Sequence, residues 1–365
     1  MKLVNIEKNP NIIFNKQLKK FLNPDYIYIP NNKEITKTYY KKNENIYNNY
    51  YSSISGKVIK NNKYIQIEND YKEKSKIIYK NKAKLTIDRI IEATKSNEKL
   101  FSKFNGLRNC ENIVISTIND EIYVLNNIIL LKENLTDILD MIDELAKAYD
   151  SKNNILVIKN NDTEIIDDFF NIMGTYSNIK LTLVEDKYLI GKEEILLNKL
   201  KLENNKTIFL TIEDIINLMQ LLKYGIPSDR KIITISGDAI KQSIIIEVKK
   251  YVMIKEIIDK YIQIIDNNYV LYKNNLLEEN QINITDIITE DIISLHLMKT
   301  KEYLESQCTN CGMCLKVCPM GINIPKQLKT GKVNSKCINC GICNYICPSY
   351  INISKKIAGD KNDNA

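Results

Sequence analysis

Short alternating apolar runs dominate residues 1–84. Tyr26-Ile27-Tyr28-Ile29 and Tyr64-Ile65-Gln66-Ile67 carry the two-residue period of a half-buried strand. Asn, Pro and Gly punctuate these runs, and Ser55-Gly56 reads as a turn between strands. The many tyrosines suit half-buried strands. A β-rich domain is expected over 1–84.

From 85 to 225 the pattern changes to strand alternating with helix. Residues 113–118, 155–158, 181–184 and 208–211 are apolar runs of strand length. Between the first two, Leu135, Ile138, Leu139, Ile142, Leu145, Ala146 and Tyr149 fall on one helical face. Such alternation predicts an α/β domain with a mostly parallel sheet. Residues 226–285 read strand (231–235), turn (Ser236-Gly237-Asp238), strand (244–248), helix (254–264) and short strand (269–272), the order of a small β-grasp module. Residues 286–306 read as a helix leading into a last domain, 286–355, and 356–365 as a polar tail. The chain is therefore expected to be an α/β multidomain protein.

At 365 residues it is long enough for two to four domains, and an apolar fraction of 44% is ordinary for globular proteins. No apolar stretch is long enough to span a membrane, which leaves at most a peripheral membrane place. No secretory signal is visible. The eleven glycines are so dispersed that no two form G-x-G; a dinucleotide fingerprint and a P-loop are both missing. His296 is the only histidine and reads as structural, so hydrolytic catalysis has no visible machinery. The formal charge of +7 is spread along the chain and does not point to nucleic acid.

Chemistry enters with the cysteines. Eight of the nine lie in two copies of C-x-x-C-x-x-C-x-x-x-C-P: Cys308, Cys311, Cys314, Cys318 with Pro319, then Cys337, Cys340, Cys343, Cys347 with Pro348. This run holds [4Fe–4S] cubanes in two-cluster ferredoxins, where the fourth cysteine of each run ligates the other cluster. One cluster is thus assigned to Cys308, Cys311, Cys314 and Cys347, the other to Cys337, Cys340, Cys343 and Cys318. Structural zinc commonly uses two separated C-x-x-C pairs, and disulfide frameworks belong to small secreted chains; both fit poorly. Gly312 and Gly341 occupy equivalent places where backbone N–H groups approach sulfur. Cys110 stands apart and reads as a buried small apolar residue. Eight free thiols imply a reducing, anaerobic cytoplasm.

The order of modules resembles the RnfC-like family, which belongs to the Rnf electron-transport complex. Similar segments are residues 52–58 with 67–70, Glu185-Asp186-Lys187-Tyr188 with Gly191 and Glu194, residues 234–240, Cys318-Pro319-Met320-Gly321, and Cys347-Pro348-Ser349. The resemblance implies a barrel-like N-terminal domain, an α/β domain like the flavin-bearing subunit of respiratory complex I, a β-grasp module and a mainly helical two-cluster domain. It also implies redox partners, either membrane Rnf-like subunits or a soluble reductase such as proline reductase.

The chain departs from that family where the nucleotide sits. The family loop G-G-A-G-F-P-T corresponds to residues 91–107, which read I-E-A-T-K-S-N-E-K-L-F-S-K-F-N-G-L. Its loop N-G-A-E-C-E-P-Y corresponds to 116–123, where only Glu121 and Tyr123 match. Without these glycines, phosphate loses its close approach to backbone. The expected function is a single-electron relay that binds neither FMN nor NADH. The alternatives are a flavin-bearing NADH:acceptor oxidoreductase, a non-catalytic assembly or oxygen-sensing subunit, and a helical two-cluster domain on an unrelated N-terminus.

Overall fold

The computed structural model describes residues 14–31, 35–48, 50–61, 64–74, 84–278, 280–300 and 305–358. The polar end of the chain, 359–365, lies outside the described residues, as do 1–13.

Strands Ile179–Val184, Asn153–Lys159, Asn112–Ser116 and Thr207–Thr211 lie side by side in that order, all parallel. In Asn112–Ser116 and Thr207–Thr211 the apolar runs are buried on both faces, as a covered parallel sheet requires, whereas the edge strand Ile179–Val184 leaves Leu183 exposed. Ile113, Ile115, Leu156, Ile158, Ile208 and Leu210 pack against helix Leu135–Tyr149 and its neighbours. Val114, Val157, Val184 and Phe209 face Leu196 and Leu197 of helix Glu193–Leu200. Helix Ile212–Tyr224 starts directly at the sheet edge. Thr211 and Asp214 form its capping box, and Gly225 ends it at φ 71°.

A second sheet has the order Phe14–Phe21, Ser243–Lys249, Arg230–Ser236, Ser294–Lys299, Tyr269–Lys273. Ile244 and Ile246 face helix Ile254–Tyr261, whereas Ile245 points the other way into the α/β core. The sheet draws strands from three segments that the sequence pattern separates. Phe14–Phe21 pairs in parallel with Ser243–Lys249, and residues 294–299 pair with both 230–236 and 269–273. The helix expected over 286–306 is absent from its described residues, and Ser294–Lys299 is a strand. Leu295 and Leu297 face the core, and Ser294 and His296 take the opposite side, which is a two-residue period. His296 is fully buried; its Nε2 donates to the Asn274 carbonyl (2.8 Å) and its Nδ1 lies 2.7 Å from Ser236 Oγ. Burial pushes its pKa down to about 4, so the ring is neutral and structural.

Tyr26–Pro30, Tyr64–Asn69, Gly56–Asn61 and Tyr39–Tyr40 make an antiparallel sheet. Ser55-Gly56 is not a turn there. Gly56 opens a strand, and a Cβ on it would sit 1.8 Å from the Glu68 carbonyl oxygen.

The C-terminal stretch folds into four short helices, Met313–Val317, Ile324–Thr330, Ile342–Tyr345 and Ile353–Ala358. Ile322, Ile324, Ile351, Ile353 and Ile357 form their small core with Cys314, Cys318 and Cys343. Residues 356–358, expected in the polar tail, end the last helix, with Ile357 and Ala358 buried. Among the described residues no helix is long and apolar enough to cross a membrane.

Candidate iron–sulfur centre

The two cysteine runs fold alike. Asn310 and Asn339 take left-handed backbone conformations (φ 56° and 52°), and so do Gly312 and Gly341 (φ 74° and 73°). Asn and Gly are the residues that tolerate this region. Each glycine starts a short helix carrying the third cysteine. After each Cys-Pro, a turn closes from Gly321 N–H to the Cys318 carbonyl (3.2 Å), or from Tyr350 N–H to the Cys347 carbonyl (3.1 Å). The Asn310 N–H donates to Cys308 Sγ at 3.4 Å.

This geometry sends the end of each run across to the other's site. One cavity is lined by Cys308, Cys311, Cys314 and Cys347, with Ile351 and Ile353. The other is lined by Cys318, Cys337, Cys340 and Cys343, with Ile322 and Ile324. All eight expected cysteines are thus brought together as two sets of four. Cys110 is buried elsewhere, its thiol 2.9 Å from the Asn112 carbonyl.

The isoleucines belong to a second repeated motif, Ile322-Asn323-Ile324 and Ile351-Asn352-Ile353. Sequence reasoning missed it, although it recurs with the same offset as the cysteines. Its isoleucines pack with the buried Cys314, Cys318 and Cys343 and shield those sulfurs from water. Burial, with Cys340 and Cys337 close by, pushes the Cys343 thiol up to about 12, and burial also raises Cys314 and Cys340. Thiolates there need compensating cationic charge, which iron supplies. Among the described residues no three of Cys, His, Asp and Glu converge as ligands of a single metal ion. Four sulfurs lining one cavity suit a polynuclear cluster.

The two cavities differ in surroundings. Cys308 and Cys311 are exposed, whereas the second set has Cys318 and Cys343 buried. The second set's loop packs on the body of the protein. Tyr188 donates its hydroxyl to the Cys340 carbonyl (3.4 Å), and a Cβ on Gly341 would lie 3.0 Å from the Leu277 carbonyl oxygen. On the body's side, Ile122, Tyr123 and Leu276 form a small apolar cluster with Tyr188 and Leu277 packed against it.

Residues 307–357 match the family described as "4Fe-4S dicluster domain". This dicluster domain is a carrier of iron–sulfur clusters and of single electrons. No curated protein matches the chain in sequence. The structure is similar to "Crystal structure of NAD+-reducing [NiFe]-hydrogenase in the air-oxidized state", at 10% identity over 71% of this chain and 56% of that one, TM-score 0.47. It is similar also to the H2-reduced state of such a hydrogenase, at 10% identity over 74% and 59%, TM-score 0.46. The chain spans less than two thirds of the length of either.

A cleft of about 600 Å³ opens at the carboxyl edge of the parallel sheet, where α/β proteins bind ligands. The stretch 91–107 contributes Asn97, Lys99 and Leu100 to its wall, but as a capped helix rather than as a loop. It forms the end of helix Ile87–Thr94 and helix Glu98–Phe104, the latter capped by Asn97 accepting from the Leu100 N–H (3.1 Å). The cleft wall is acidic, with Asp120, Glu121, Glu193, Glu213, Asp214, Glu290 and Asp291. Its lysines are already committed. Lys99 pairs with Asp214 at 2.9 Å, and Lys231 pairs with Glu213 at 3.3 Å. Burial, with Glu121 adjacent, pushes the Asp120 carboxyl up to about 7, and burial raises Glu121 as well.

Proposed function

We propose that the chain is an electron relay of the RnfC-like kind, carrying two [4Fe–4S] clusters. Cys308, Cys311, Cys314 and Cys347 hold the first cluster; Cys337, Cys340, Cys343 and Cys318 hold the second. The observation that carries this reading is the pair of cavities, each walled by three cysteines of one run and the last of the other. The clusters supply one-electron chemistry. The protein's part is to desolvate the sulfurs, aim N–H groups at them and fix the spacing between the two centres. The β-rich segment, in this reading barrel-like, and the β-grasp-like segment serve as scaffold and docking surface.

FMN and NADH do not fit the cleft. A phosphate there would meet a wall of carboxyl groups, lysines already paired, and helices in place of a glycine cradle. Electrons therefore enter and leave through protein partners, either membrane Rnf-like subunits or a soluble reductase, and the chain sits in the cytoplasm or on the membrane's cytoplasmic face.

Anaerobic reconstitution followed by iron, sulfide and flavin analysis tests the reading. About eight irons, no flavin, and bleaching by dithionite but not by NADH are expected. Bound flavin with bleaching by NADH would make the chain a dehydrogenase instead.

A further inference from the structure

The charge of the chain is unevenly placed. Residues 305–358 contain seven lysines and a single acid, Glu305, which pairs with Lys356. Six of the chain's seven net positive charges therefore come from this stretch. Lysines are as common elsewhere; what the stretch lacks is acids. Two clusters of about −2 each would still leave it cationic.

Three of these lysines border the first cavity. Lys316 lies two residues past Cys314, and Lys326 and Lys329 each follow a residue of the cavity wall, Pro325 and Leu328. All three are exposed and have no acidic partner among the described residues. Leu315 stands 38% exposed between Cys314 and Lys316. Cys308 and Cys311 are exposed too, so a cluster there would lie just beneath the surface.

Resting on the relay reading above, we propose that this lysine-bordered face docks an acidic one-electron carrier protein. A small apolar contact rimmed by charge is the form of transient redox interfaces, and opposite charge raises the encounter rate. The reduced cluster, [4Fe–4S]⁺, gives one electron to the carrier and returns to [4Fe–4S]²⁺. No bond forms, and the carrier's centre is reduced by one electron. The exposed sulfurs favour a redox protein over a lipid surface, since lipid headgroups themselves neither give nor take the electron that a cluster there would exchange.

The test follows reoxidation of the dithionite-reduced holo-protein by stopped flow. The acceptors are oxidised acidic flavodoxin and, separately, the uncharged duroquinone. With flavodoxin the rate constant is expected to fall about tenfold or more as salt rises. Lys316→Glu/Lys329→Glu should lower the low-salt rate about tenfold and flatten the salt dependence. Lys152→Glu, on the exposed surface of the α/β layer, should change neither. Duroquinone rates should match in every variant. Should the double variant lose iron, Lys329→Glu alone, away from the cysteine loops, is read in its place. Flavodoxin rates that ignore both salt and substitution, while duroquinone stays fast, would overturn the docking face and leave the relay standing. No reoxidation by either acceptor would overturn the relay itself. Co-sedimentation with phosphatidylserine-containing vesicles that needs Lys316 and Lys329, beside salt-insensitive flavodoxin rates, would reassign the face to lipid and overturn the proposal.

Discussion

The Tyr123 hydroxyl lies 2.7 Å from the Tyr345 hydroxyl. Tyr123 comes from the loop after strand Asn112–Ser116, and Tyr345 ends the helix that carries Cys343. The pair ties the dicluster domain to the carboxyl edge of the parallel sheet. Tyr123→Phe and Tyr345→Phe should each cost about 0.5–1.5 kcal/mol, and the double variant little more than either. Amide exchange in helix Ile342–Tyr345 reads the effect; fully additive losses would show that the hydroxyls act separately.

Gly341 and Gly312 share one backbone conformation but not one environment. An alanine at either must adopt φ near +74°, at a cost of about 1–2 kcal/mol. Nothing lies within 4 Å of a Cβ on Gly312, whereas one on Gly341 meets the Leu277 carbonyl oxygen at 3.0 Å. Gly341→Ala should therefore lower the thermal midpoint more than Gly312→Ala, and should loosen the dicluster domain from the body. Equal midpoints would mean the Leu277 contact yields without cost.

Cys318→Ser should impair the cluster shared with Cys337, Cys340 and Cys343, although three of those four belong to the later run. Cys347→Ser should impair the other. Iron content should fall toward about four per chain in each case. Electron paramagnetic resonance of the surviving cluster distinguishes the two variants; the same residual spectrum in both would refute the crossed grouping.

Glu256 gives a pH dependence. Burial raises its carboxyl to about 7, Asp25 adds to the shift, and the hydrogen bond with Tyr28 opposes it. The fold holds this proton more tightly than the unfolded chain does. The resulting stabilisation is complete below about pH 4.3 and disappears as pH rises through about 7. Glu256→Gln keeps a neutral group at every pH. Discounted for partial exposure, it should stabilise the protein by about 1 kcal/mol at pH 8 and by less at pH 5. Thermal midpoints at the two values check the sign, and a larger gain at pH 5 would contradict it.

The cysteine pattern was legible because ligand spacing is a local property: eight residues within forty carry it, and the two cavities contain all eight. The parallel strands were legible because unbroken apolar runs such as Ile113-Val114-Ile115 are buried on both faces. The strand Ser294–Lys299 was not. Ser294 and His296 sit on a buried face, and only their bonds to Asn274 and Ser236 make that tolerable. Hydrophobicity alone does not register such a partner. Phe14–Phe21 was misplaced for a related reason, since its pairing partner lies more than two hundred residues away. The acidic cleft escaped notice because its carboxylates come from loops and helices far apart in the chain, and no local window gathers them.

The exchange of chain ends between the two cavities also sets a timetable. As the chain is synthesised, Cys308, Cys311 and Cys314 emerge first, yet their cavity waits for Cys347. The cavity that begins with Cys318 has all four of its cysteines once Cys343 has appeared. The inner site, begun second, is the first to be complete, and the outer one closes over it last. A nascent chain halted between the two runs would expose four thiols with no finished site for any of them, so iron loading waits until Cys343 and Cys347 have been made.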